Sequence, residues 1–175
     1  MARVAAVRRS LARRTIFNLL GPLCNPAGVE RQLMGVFAPA PVPLMAEALH
    51  QLGSRSALVV HGQGFDEVAI SGETTAVMLA GGALAARTIT PEDAGLPRHP
   101  NDALKGSSPA YNADRLTALL AGQKDAYRDM VLLNAAAALT VVEPGLALAA
   151  AAAKAADAID SGAAADILAR WIAFR

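Results

Sequence analysis

Asp66 and Glu67 stand side by side in HGQGFDE, residues 61–67, and are the first candidates for chemistry in this chain. Adjacent carboxylates are oxygen donors of the kind Mg²⁺ prefers, with waters and substrate phosphates completing its shell. The segment follows an apolar run that reads as a buried strand. In open α/β sheets, ligands gather beyond the carboxyl ends of strands. Gly62 and Gly64 permit close backbone approach. An acid pair is also what a solvated loop carries, so the residues alone leave both readings open. His61 reads as structural rather than catalytic. The second candidate is Arg8. Val4, Val7 and Leu11 make one apolar stripe at helical spacing, with Arg8 at its edge and Arg9 and Arg13 pointing away. A guanidinium so placed can meet a planar carboxylate through two parallel hydrogen bonds while its stem stays packed. Spacing alone favours the plainer reading, a surface arginine of a basic helix. The third is TIFNLLGPLCNPA, residues 15–27, whose turns could be only a helix-to-strand crossover. Its Cys24 lacks an activating partner in the sequence and reads as a small buried thiol, so no covalent nucleophile is expected. Lys105-Gly106 is too short a motif to assign to phosphate.

The elements that must position these residues read as an α/β fold. A helix stops near Arg14, and a short second one runs through 16–20 before Gly21-Pro22 and Asn25-Pro26 enforce non-helical backbone. Residues 32–37 read as a strand. Pro39, Pro41 and Pro43 form a stiff connection. Leu44, Met45, Ala48, Leu49 and Leu52 form a helical stripe that ends at Gly53. The short apolar run 57–60 suggests a strand buried on both faces, so 32–61 reads as a βαβ unit of a parallel sheet. A short strand is expected at 68–70. Gly81-Gly82, between 75–79 and 84–89, marks a hairpin. Thr90-Pro91-Glu92-Asp93 has the composition of a helix start. Residues 95–111 read as irregular, and helices follow at 112–121, 125–142, 144–161 with Pro144 at its first position, and 163–173. The alanine-rich tract 147–156 reads as structural, since alanine favours helix and close packing.

Bulk properties exclude several classes. The 175 residues suit one domain with a real core. A mean hydropathy of +0.33 comes largely from alanine, and the longest apolar run, 146–153, falls far short of the ~20 residues that a membrane span needs. The net charge of +1 makes no global case for nucleic acid. A single cysteine excludes an internal disulfide and fits a reducing, cytoplasmic setting. Arginines at 3, 8, 9, 13 and 14, with no acid before Glu30, match a transit peptide in composition, but the segment runs unbroken into the motif behind it.

RRTIFNLLGPLCNPA, residues 13–27, closely resembles the signature of the anthranilate phosphoribosyltransferase family. The similarity continues in order through QLMGVFAP, ALVVHGQGFDEVAISG, LKGSSPAYNADRL and YRDMVLLNAAAAL. The resemblance implies transfer of phosphoribosyl from 5-phosphoribosyl 1-diphosphate to the amine of anthranilate in tryptophan biosynthesis. It implies Mg²⁺ as cofactor, held by Asp66 and Glu67, an anthranilate carboxylate bound by Arg8, and Pro22 in the wall of the aromatic pocket. It also implies a mainly parallel sheet with flanking helices and a helical C-terminal part. Residues 1–29 would be a helical-domain remnant and crossover, and 30–175 the C-terminal part of the α/β domain. The family's glycine-rich diphosphate loop and its other N-terminal substrate contacts have no match here. The chain is therefore expected to be a fragment, inactive alone, of a family whose full-length members are homodimers. The alternative is a non-enzymatic, nucleic-acid-binding paralogue that uses the N-terminal arginines. It ranks lower, because such a module needs neither the Asp66–Glu67 pair nor an arginine in register with it.

Overall fold

The computed structural model describes residues 17–174. The helix expected around Val4–Leu11, and Arg8 with it, lies outside the described residues.

The first helix, α1 (Phe17–Leu23), runs through Gly21-Pro22 rather than stopping before it. A proline in a last helical turn removes only its own N–H from the ladder. Gly21 has no Cβ to clash with the proline ring. The break comes at Asn25-Pro26, where the Ala27 N–H donates to Asn25 Oδ1 at 3.0 Å and the Gly28 N–H to the Asn25 carbonyl at 3.2 Å.

Strand β1 (Arg31–Gly35), helix α2 (Pro41–Gln51) and strand β2 (Ser56–Gly62) form the expected βαβ unit, with β1 and β2 parallel and Gly35 opposite Val60. Pro41 and Pro43 belong to the first turn of α2 rather than to a connection. First-turn N–H groups have no intrahelical partner, so proline costs no hydrogen bond there. The stripe of α2 is rotated from the expected one. Val42, Met45, Ala46 and Leu49 are buried, whereas Leu44 and Leu52 are each 64% exposed. Gly53, at φ 86°, follows as the left-handed residue that ends the helix.

Strands β3 (Thr74–Ala80) and β4 (Ala83–Ile89) form the hairpin, with Gly81 at φ 57° and Gly82 at φ 76°. These two positive φ values are those of the tight turn that matches strand twist. The sheet order is β1-β2-β3-β4. β2–β3 and β3–β4 are antiparallel, so among the described residues the sheet is mixed rather than mainly parallel. The two-residue glycine turn leaves β4 no other direction.

Alternation along β2 divides the core. Ala57 and Val59 face α2 together with Val77 and Leu79, while Leu58 and Val60 face the other side with Val68, Ile70, Leu133, Ala136 and Ala137. The latter alanines belong to α4 (Ala126–Val142), capped by Asp125, whose carboxylate accepts from the Arg128 N–H at 3.0 Å. Against α4 packs α5 (Leu148–Asp160), with Ala151, Ala152 and Ala155 buried, so the alanine-rich tract is a close-packing helix. It starts at Leu148, not at Pro144, because Gly145 at φ 101° cannot continue a right-handed helix. Helices α3 (Pro109–Leu120) and α6 (Ala163–Ala173) complete the C-terminal part, α3 three residues earlier than expected because Ser108 caps it through the Tyr111 N–H. Residues 91–94 form a single helical turn at the expected helix start, and Thr90 and Asp93 make a capping box there. Residues 68–70 are buried but form no strand. Side chains and a loop satisfy their backbone instead: the Ala69 N–H donates to Thr74 Oγ1 at 2.9 Å, Val68 pairs with Asn134, and the Ile70 carbonyl accepts from the His99 N–H at 3.1 Å. No helix among the described residues is long and apolar enough to cross a membrane.

Candidate substrate and metal site

The site is built where β2 ends. Gln63 at φ 48° and Gly64 at φ 90° reverse the chain, and Gly62 and Phe65 exchange backbone hydrogen bonds of 3.0 and 2.8 Å across the turn. Gly64 takes a left-handed conformation without strain, whereas Gln63 does so as a non-glycine residue. Its side chain is tied down, with Nε2 donating to the Glu73 carbonyl at 3.1 Å. Gly62 has no room for a side chain, since a Cβ there would lie 2.6 Å from Thr74 Oγ1 and 2.7 Å from the Ala69 nitrogen. His61 Nδ1 donates to the Val36 carbonyl at 2.8 Å. It thereby ties the end of β2 to the end of β1, a supporting contact rather than a chemical one.

The reversal carries Asp66 back over β1. Its carbonyl packs directly on the α-carbon of Gly35, and a Cβ at that position would overlap it. Asp66 and Glu67 are both exposed. Partial desolvation, and to a smaller extent the neighbouring Asp66 charge, hold the Glu67 carboxyl above its ordinary pKa. Asp66 also lines a cleft of about 260 Å³ together with Leu19, Pro22, Gly35, Val36, Phe37 and Met45. Pro22 reaches it from α1, Phe37 from the end of β1 and Met45 from α2. Two residues singled out from the sequence, Pro22 and Asp66, are thus brought to one cavity. Glu67 is adjacent in the chain but not part of its lining, and Arg8 is outside the described residues.

The donor set fits a hard divalent cation. Two neighbouring carboxylates concentrate negative charge and hard oxygen donors at the surface. No group of three His, Cys, Asp or Glu residues converges among the described residues. Mg²⁺ is commonly held by one or two carboxylates plus waters and substrate phosphates, a role that two adjacent carboxylates can fill.

A family model described as glycosyl transferase family, a/b domain, matches residues 1–165. The chain belongs to that family. It is 49% identical over 172 residues to the anthranilate phosphoribosyltransferase of Mesorhizobium japonicum, which covers 98% of this chain and 51% of the relative. Against the protein of that name from Rhodospirillum rubrum it is 53% identical over 174 residues, 99% of this chain and 50% of the relative. The solved anthranilate phosphoribosyltransferase of Thermus thermophilus superposes with a TM-score of 0.92 at 43% identity, over 99% of this chain and 52% of that one. The Saccharomyces cerevisiae enzyme, solved in complex with PRPP and Mg, gives 0.83 at 28% identity, over 93% and 47%. The chain spans about half the length of the relatives it matches.

Within this glycosyl transferase family match lie the whole lining of the cleft and the acidic pair. Sequence reasoning missed Gly35 as a site residue. The signal was available, because a glycine inside a strand often marks close approach of another backbone. The Phe37 and Met45 contributions had no such signal, since only the folded βαβ unit brings them together. Cys24 is exposed in the turn after α1, not buried, and lines none of this cleft. Burial would need a covering element, whereas the Cys24 N–H closes a surface turn on the Gly21 carbonyl at 3.2 Å. Lys105 and Gly106 line a separate cavity of about 290 Å³ with Tyr111, Asn112, Arg115 and Tyr127, which shares no residue with the cleft.

Proposed function

We propose that the chain is the C-terminal part of an anthranilate phosphoribosyltransferase, acting in tryptophan biosynthesis in the cytoplasm as part of a family-length, homodimeric protein. Residues 1–29 are then the crossover from a small helical domain, and 30–175 the C-terminal part of the α/β domain. The observation that carries this reading is the convergence of Pro22 and Asp66 on one cleft beyond the sheet. The relatives' names supply the chemistry. The amine of anthranilate forms a bond to the ribose C1 of 5-phosphoribosyl 1-diphosphate. The C1–oxygen bond breaks, its electron pair leaves with the diphosphate, and the amine gives up a proton.

Such a transfer needs positioned charge rather than a covalent nucleophile. Asp66 and Glu67 would hold Mg²⁺, which when bound neutralises charge on the departing diphosphate. Pro22 and Phe37 offer apolar walls that orient a planar ring. Arg8 is assigned to the carboxylate of anthranilate, where bidentate pairing sets the direction of the amine. Gly35 keeps the Asp66 backbone against β1.

The test joins the N-terminal half of the Rhodospirillum rubrum relative to this chain. Loss of anthranilate fluorescence on adding 5-phosphoribosyl 1-diphosphate and Mg²⁺ is expected. A folded chimera that forms no phosphoribosyl-anthranilate overturns the reading.

A further inference from the structure

We infer that Asn134 is a positioning residue for the Asp66–Glu67 pair, and that one side chain on α4 sets where these carboxylates stand. The inference rests on the reading of that pair as a cation site. Neither carboxylate has a hydrogen bond or ion pair among the described residues, so their location is decided by the backbone that carries them. That backbone is fixed on both sides. Ahead of Glu67, the Asp66 carbonyl packs on Gly35 of β1. Behind it, the Val68 N–H donates to Asn134 Oδ1 at 2.9 Å, and Asn134 Nδ2 donates to the Val68 carbonyl at 2.9 Å.

One amide thus acts as a neighbouring strand would, offering acceptor and donor to the same residue. Its second Nδ2 hydrogen goes to the Met130 carbonyl at 3.0 Å, one turn back along α4, which fixes the side chain's own orientation. Val68 is fully buried, so no water replaces these bonds. Asparagine is a poor helix former in the middle of a helix. Here it satisfies a strandless segment that would otherwise leave polar groups unpaired. The acidic pair is therefore strung between a fixed point on β1 and a fixed point on α4, and only the second is a side chain that substitution can remove.

The experiment uses the full 175-residue chain with Mn²⁺ as the probe, read by paramagnetic broadening of the 66–68 amide signals and by the dissociation constant. Asn134→Leu and Asn134→Ala should weaken Mn²⁺ binding about 10- to 100-fold, the usual effect of losing an outer-shell support. Asp125→Ala, which uncaps the far end of α4, should lower the melting temperature but leave the Mn²⁺ affinity unchanged. Unchanged affinity in the Asn134 variants, with binding abolished in Asp66→Asn, overturns the inference and leaves the cation site standing. No broadening at 66–68 in the unaltered chain overturns both. Should the Asn134 variants not fold, the unaltered chain still decides. Saturating Mg²⁺ should shift the Asn134 side-chain amide resonances and slow exchange of the Val68 N–H, and no change in either counts against the inference.

Discussion

Glu67 carries a testable electrostatic signature. Its carboxyl is held above the ordinary range by desolvation first and by the Asp66 charge second. A carboxyl with a raised pKa in the folded state favours folding less as pH rises through that pKa, because the folded chain binds the extra proton. Glu67→Gln should therefore raise the midpoint of urea unfolding slightly at neutral pH. The gain should vanish below pH 4, where both states of the native residue are protonated. A gain that persists at low pH would assign the effect to something other than charge. Gly35→Ala should act in the opposite sense, since its Cβ would overlap the Asp66 carbonyl and force the loop away from β1. We expect a loss of about 1–3 kcal/mol in unfolding free energy, the range of overpacking, and altered amide shifts at 66–68. The two residues also show what was legible at this scale. Asp66 and Glu67 could be read in the sequence because carboxylates announce themselves after a strand. Gly35 acts through an atom it lacks, and glycine in a strand has more than one explanation. Cys24 was misread because an apolar neighbourhood in sequence does not say which element covers it.

The elements were most legible where a pattern admits one structure. The continuous apolar run of β2 is buried on both faces, and Gly81-Gly82 turns a hairpin with both glycines at positive φ. Legibility failed where partners decide. Residues 68–70 have strand composition, but Asn134, Thr74 and the His99 N–H rather than a strand complete their hydrogen bonding. Helix α1 continues through Pro22 because Gly21 precedes it, and this continuation brings Pro22 to the cleft. The buried stripe of α2 turns toward Val42 and Ala46, since Pro41 and Pro43 lie in its first turn and make Val42 a helical core position. α4 is the element that the sheet and the acidic loop both depend on. Its Leu133 is fully buried in the cluster shared with Leu58, Val60, Val68 and Ile70. Leu133→Ala should cost about 2–5 kcal/mol, seen as a lowered denaturation midpoint with an unchanged slope. A loss below about 1 kcal/mol would mean that α4 is not the packed wall described.

For the whole molecule, the family match covers residues 1–165, while the chain spans about half the length of its relatives. Pro22, Phe37 and Asp66 converge on one cleft, and Glu67 follows Asp66 in the chain outside its lining. The central claim is that this pair serves phosphoribosyl transfer once the chain is part of a family-length polypeptide. It is tested most directly by the turnover rate of the chimera with the Rhodospirillum rubrum half, with and without Asp66→Asn and Glu67→Gln together, as Mg²⁺ is titrated. The doubly substituted chimera should lose at least about 100-fold in kcat, with saturation by Mg²⁺ shifted to higher concentration. A rate and an Mg²⁺ dependence indistinguishable from those of the unsubstituted chimera would contradict that claim.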